Sequence, residues 1–147
     1  MNQESIEFSF KDFPNTCYYP KLRLMTWHPP GVLDEWLAEK LVEFIESEEY
    51  LQEAPFDRYI DLSGLAGIRT TFEHILKIAR RRIPIRQPVK TAIYGNNPVR
   101  LAVAQTYERL MQDAVMITVR AFGEREACAE WLEVPVAVIF PPSQLTN

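Results

Sequence analysis

Tyr59-Ile60-Asp61-Leu62-Ser63-Gly64-Leu65-Ala66-Gly67-Ile68-Arg69-Thr70-Thr71 is the stretch on which the fold turns. Leading into it, Phe56, Arg58, Ile60 and Leu62 alternate with Asp57, Tyr59 and Asp61, the two-residue period of a strand over Phe56 to Ser63. Beyond it, Phe72, Ile75, Leu76 and Ala79 recur at helical spacing and predict a helix to about Arg82, broken by Pro84. A strand thus passes through a polar turn into a helix.

Upstream, Ile6, Phe8 and Phe10 alternate with Glu4, Glu7 and Ser9 as a short strand, and Phe13-Pro14-Asn15-Thr16 reads as a turn. A second strand is expected from Lys21 to Trp27, with Leu22, Leu24 and Thr26 on one side and Lys21, Arg23, Met25 and Trp27 on the other. Pro29-Pro30-Gly31 stops it. Asp34 is placed to cap a helix whose apolar face holds Trp36, Leu37, Leu41, Phe44, Ile45 and Leu51. Downstream, Val89 to Tyr94 is a strand, and Asn97 with Pro98 opens a helix burying Leu101, Ala102, Tyr107, Leu110 and Met111. Val115, Ile117 and Val119 form a strand, and Glu124 to Leu132 a last helix with Ala127, Cys128 and Trp131.

The order β-β-α-β-α-β-α-β-α predicts one α/β domain over residues 1–147, with right-handed crossovers and a mixed sheet of four to five strands. Its strands each show one apolar face, so helices are expected mainly on one side, in two layers. The other face would carry Arg23, Met25, Trp27, Tyr59, Lys90, Tyr94, Met116 and Arg120, open to solvent or a partner. The tail from Val134 to Phe140 has strand propensity and would lie over that face or a neighbour's, which favours a homodimer.

Asp61-Leu62-Ser63-Gly64-Leu65, followed after four residues by Thr70-Thr71, resembles the STAS family of anti-sigma-factor antagonists and sulphate-transporter tails. The closing stretch from Val119 to Leu132, with its acidic turn and Ala…Trp-Leu, resembles the SpoIIAA-like branch of that superfamily. The resemblance spans about residues 20–133 and implies a STAS-like fold and a regulatory, protein-binding role. It places Thr70 at the family's phospho-acceptor position, with Arg69 where the family has an acidic residue and Phe72 where it has glycine.

The 147 residues carry a net charge of −4, with no global pull toward nucleic acid. No apolar run approaches the roughly 20 residues that span a bilayer. Met1 to Ser5 resembles no secretory signal, and Cys17 and Cys128 lie far apart, so reduced thiols and a cytoplasmic location are expected. His28 and His74 lie in different elements without ligand spacing, and neither phosphate loop nor nucleophile elbow appears. No enzyme activity, metal or cofactor is therefore expected.

Ligands of open α/β sheets gather beyond the carboxyl ends of the strands. That edge would carry Asp61, Ser63, Arg69, Thr70, Thr71, Asn96, Asn97 and Arg100, beside two helix N-termini suited to a small anionic or lipidic ligand. Residues 34–53 hold eight acidic and one basic side chain, and residues 69–100 eight basic and one acidic. Such opposed patches suit docking of a protein partner or a second copy of the chain.

Overall fold

The computed structural model describes residues 6–7, 15–51, 55–81 and 87–141. In chain order these form β1 (Ile6–Glu7), β2 (Thr16–Tyr19), β3 (Leu24–Trp27), β4 (Gly31–Asp34), α1 (Glu35–Leu51), β5 (Asp57–Asp61) and β6 (Leu65–Arg69). There follow α2 (Phe72–Arg81), β7 (Val89–Tyr94), α3 (Pro98–Leu110), β8 (Ile117–Phe122), α4 (Arg125–Leu132) and a 3-10 turn at Val136–Ile139.

The main sheet has the order β1-β2-β3-β5-β7-β8. Its first two pairings are antiparallel, and β3, β5, β7 and β8 run parallel. Parallel neighbours need crossover connections, and α1, α2 and α3 supply them in turn. Apart from the two-residue β1, the sheet is mixed and five-stranded, within the four to five strands expected.

Two features escaped the sequence pattern. A strand, β2, begins at Thr16, where a turn was expected, and makes a hairpin with β3 through residues 20–23. Leu22 N–H donates to the Tyr19 carbonyl and Arg23 takes φ 50°, so the β3 strand begins at Leu24 rather than Lys21. A separate parallel ribbon pairs β4 with β6, and Gly31 at φ 77° turns the chain into it from Pro29-Pro30. Most of the first expected strand, and the extreme tail, fall outside the described residues.

The two sheet faces are both covered. Under α1, the side chains of Tyr18, Met25, Trp27, Phe44, Ile45 and Phe56 form one cluster; under α2 and α3, Leu62, Ala79, Ile93, Ala104 and Ile117 belong to another. Met25 and Trp27 thus lie in the core, not on the open face the alternation assigned them. Leu24 and Thr26 on the other side of β3 are equally buried, so its polarity could not reveal which face meets water.

That second face holds Tyr19, Leu24, Tyr59 and Ala92, packed against Cys128, Ala129 and Leu132 of α4 and against Val138 and Ile139. Helices lie mainly on one face, as expected, but the chain's own tail closes the other. Pro135, which cannot donate to a sheet ladder, precedes the tail's 3-10 turn where strand propensity predicted a strand. Tyr19 Oη donates to the Val138 carbonyl at 3.4 Å, and His28 Nε2 to the Ile139 carbonyl at 2.8 Å. Among the described residues, no helix is long and apolar enough to cross a membrane.

The opposed charge runs meet inside the domain. Glu39 of the acidic α1 touches both His74, at 3.1 Å, and Lys77, at 3.4 Å, of the basic α2.

Candidate functional site

The strand-end edge contains three separate groups. In the first, β5 delivers Asp61 into a nearly closed site where it is 1% exposed. Its carboxylate accepts hydrogen bonds from Tyr59 Oη at 2.7 Å, Ser63 N at 2.9 Å, Ser63 Oγ at 2.5 Å and Arg125 Nε at 2.9 Å. Arg125 also donates from Nη2 to Ser63 Oγ at 2.8 Å, and its guanidinium stacks over Tyr94 at 4.8 Å. Burial pushes the Asp61 carboxyl up, but the hydrogen bonds from Arg125, Ser63 and Tyr59 prevail and hold it below the usual range. Burial and the facing Asp61 raise the Tyr59 phenol.

His28 completes this group from the end of β3, its Nε2 3.8 Å from Asp61 Oδ2. Burial holds its imidazole below the ordinary value, against the opposing pull of the Ile139 carbonyl and Asp61. Cys128 lies beneath, its thiol pushed up to about 12 by burial and therefore unreactive at neutral pH. Asp57, on the same strand face as Asp61, accepts from Lys90 N at 2.8 Å. The two carboxylates are thus occupied as structural acceptors. Nothing in the sequence pattern pointed to Arg125, which is brought from α4 to Asp61 by the fold alone.

The second group surrounds the start of α2. Thr71 Oγ1 accepts from His74 N at 3.1 Å, capping the helix, and donates to Glu35 Oε1 at 3.2 Å. Thr70 Oγ1 lies 3.5 Å from His74 Nδ1, and His74 Nε2 lies 3.1 Å from Glu39 Oε1. Hydrogen bonds from His74 and Lys77 hold the Glu39 carboxyl below the usual range. Hydroxyl, imidazole and carboxylate in this order activate nucleophiles in many hydrolases. Here the 3.5 Å contact is at the outer limit of a hydrogen bond. The four-residue spacing of Thr70 and His74 was the available signal for this pairing.

The third group caps α3. Asn97 Oδ1 accepts from Arg100 N at 2.9 Å, and Arg100 Nη2 donates to the Leu65 carbonyl, tying α3 to β6. Asn96 and Arg69 are exposed, Arg69 at the ribbon's end opposite Asp34. Of the eight expected site residues, then, Asp61 and Ser63 stand with Arg125, Thr70 and Thr71 with His74, and Asn97 with Arg100.

Thr70 also lines a cavity of about 130 Å³ between the sheet and α1, α2 and α3. Its wall is mostly apolar, with Val42 and Ile45 from α1, Ile78 from α2 and Ile93 from β7. Five of the lining residues can hydrogen-bond: Trp27, Arg58, Thr70, Thr91 and Tyr107. Arg58 is 2% exposed, and its charge is met by Glu49 Oε2 at 3.1 Å. Among the described residues, no group of three or more His, Cys, Asp or Glu side chains could hold a metal ion.

No protein-family model matches the chain, and no curated protein does. A solved structure does: an uncharacterized protein of the DUF3478 family from Shewanella loihica PV-4, with a SpoIIAA-like fold. The TM-score is 0.50 at 14% identity, over 88% of this chain and 90% of that one. The fold is SpoIIAA-like. That places the domain in the STAS-like architecture which Asp61 to Leu65 suggested.

Proposed function

We propose that this SpoIIAA-like domain is a non-catalytic regulatory module of the cell interior that binds a small, mainly apolar ligand in the cavity beneath α1, α2 and α3. The cavity itself carries this reading. Natural cores leave few voids larger than a water molecule, because each lost contact costs dispersion energy. A space of about 130 Å³ lined by side chains such as Val42, Ile45 and Ile93 leaves apolar surface without protein contacts unless something fills it. An engineered apolar cavity of about 150 Å³ takes up benzene. The cavity chemistry supports an apolar ligand over an anionic one, since among the described residues the cation that lines it, Arg58, is paired with Glu49. A thermal-shift panel of small alcohols, ketones and arenes tests this: ligand at about 100 times Kd adds roughly 2.7 kcal/mol. No stabilisation by any member rejects it.

A second reading, docking of a protein partner or a second copy, draws on the corner where α1 and α2 begin. Trp36 and Phe72 are 55% and 61% exposed there, joined through the Thr71–Glu35 hydrogen bond. The periodicity had assigned Trp36 to the core. Large apolar side chains left in water favour interfaces. A phosphate on Thr70, adjacent to this corner, would first have to open the Thr70–His74 contact. Light scattering of the full chain, alone and as Trp36→Asp, reads self-association; a monomer mass in both excludes the homodimer.

A further inference from the structure

We infer that α2 is a lid over this cavity, which lifts from the sheet as a unit while α1, α3 and the strands stay in place. The lifting belongs to the fold itself; that it admits a ligand rests on the cavity being the ligand site.

The floor of the cavity cannot part. Arg58, Ile60, Thr91 and Ile93 stand on β5 and β7, and each of these strands is paired on both sides. An opening must therefore pass through the roof of helices, and two of the three are tied down. At the end of α1, Glu49 Oε2 accepts from Arg58 Nη2 at 3.1 Å and from Phe56 N at 3.3 Å. Along α3, Arg100 Nη2 donates to the Leu65 carbonyl, and Glu108 Oε1 accepts from Ala121 N at 2.7 Å.

No such tie holds α2. Among the described residues, its side-chain bonds to other elements all go to α1. Thr71 at its cap donates to Glu35 Oε1 at 3.2 Å, and His74 and Lys77 lie 3.1 and 3.4 Å from Glu39 Oε1. Glu39 and Lys77 are 35% and 66% exposed, and ion pairs so open to water contribute little. The apolar hold is thin as well. Ile78 and Ala79 are buried, but Ile75 and Ile78 line the cavity. A side chain facing a void makes fewer of the dispersion contacts that keep a helix down. The roof is therefore weakest at α2, where local opening costs least.

Native-state hydrogen exchange of the full chain tests this. A ten-residue helix off its support is marginal in water, so its amides exchange when it lifts. Amides from Leu76 to Ala79 should be at least about tenfold less protected than those of Ala104 in α3 and Ile93 in β7. Sub-denaturing urea should hardly change them, since lifting α2 exposes little surface, while protection of Ala104 and Ile93 falls steeply. Protection of α2 equal to that of Ala104, or falling with it in urea, overturns the lid, because α2 then opens only with the whole domain. Benzene separates the lid from its use. At about ten times its Kd it should slow α2 exchange roughly tenfold, since the open lid leaves no site for it. Local opening of α2 that benzene does not slow at any concentration keeps the lid and rejects its role in admitting such a ligand.

Discussion

The two faces of the main sheet solve the same packing problem differently. Beneath α4 and the 3-10 turn, hydrogen-bonding groups converge: Asp61 alone accepts four hydrogen bonds. Beneath α1, α2 and α3 the side chains stop short of one another and leave about 130 Å³. The first face is held by polar complementarity in a small space and tolerates little change. The second is held by apolar area and retains room. Under the proposed ligand-binding reading, that division would keep the stabilising network on the side away from the cavity.

Breaking the polar face should produce the largest effect. Asp61→Ala removes the common acceptor of Tyr59, Ser63 and Arg125 and strands a partly buried guanidinium. Removing one partner of a buried ion pair costs about 3–5 kcal/mol. Urea unfolding would register this as a fall in midpoint with unchanged slope. A loss below about 1 kcal/mol would mean that water replaces Asp61 and that the network is not what holds this face.

The tail comes next. Ile139 is fully buried, and its carbonyl receives His28. Ile139→Ala should cost about 2–5 kcal/mol, the range for emptying a packed core position. A surface-like cost under 0.5 kcal/mol would show that the tail only rests on the sheet.

How much of this was legible in the residues depended on whether a signal was local. The helix at Asn97-Pro98 could be read because cap and first-turn residue are neighbours in sequence, and the structure keeps Asn97 Oδ1 on Arg100 N. The strand-to-turn passage at Asp61-Leu62-Ser63-Gly64 was legible for the same reason. The Asp61–Arg125 pair joins residues 64 apart, and no periodicity encodes such a meeting. Burial of β3 on both sides likewise erased the alternation that distinguishes inside from outside. The cavity is an absence between helices, and a sequence lists only what is present.

Acid should loosen the polar face selectively. His28 has its folded-state value below the ordinary 6.5, so between the two values the unfolded chain binds the extra proton. Its contribution is fully present above about 6.5 and is lost as pH falls toward the folded value. Asp61, held below 3.8, acts in the same direction: its contribution is present above 3.8 and disappears as pH falls through its folded value. Melting temperatures measured from pH 8 to pH 5 isolate the histidine. The His28→Gln chain, which can still donate to the Ile139 carbonyl, should lose the part of the slope near pH 6. An unchanged slope would assign it elsewhere.

The smallest effect should appear on the cavity side of the sheet, and with the opposite sign. Val42 of α1 is 5% exposed and lines the cavity. Val42→Leu adds one methylene into unfilled space, worth about 0.8 kcal/mol of burial. Leucine also loses less rotamer freedom in a helix than a β-branched residue, which adds a few tenths. The variant should therefore be more stable by about 1 kcal/mol in urea. The same methylene occupies volume that a small apolar ligand of the proposed kind would need, so affinity for it should fall as stability rises, the trade-off expected where a void is functional. If Val42→Leu destabilises, the helix–sheet space is already filled by relaxation and the contrast between the faces collapses. If it stabilises and leaves binding intact, the ligand enters elsewhere along the wall, and a bulkier residue at Val103 of α3 becomes the test of where.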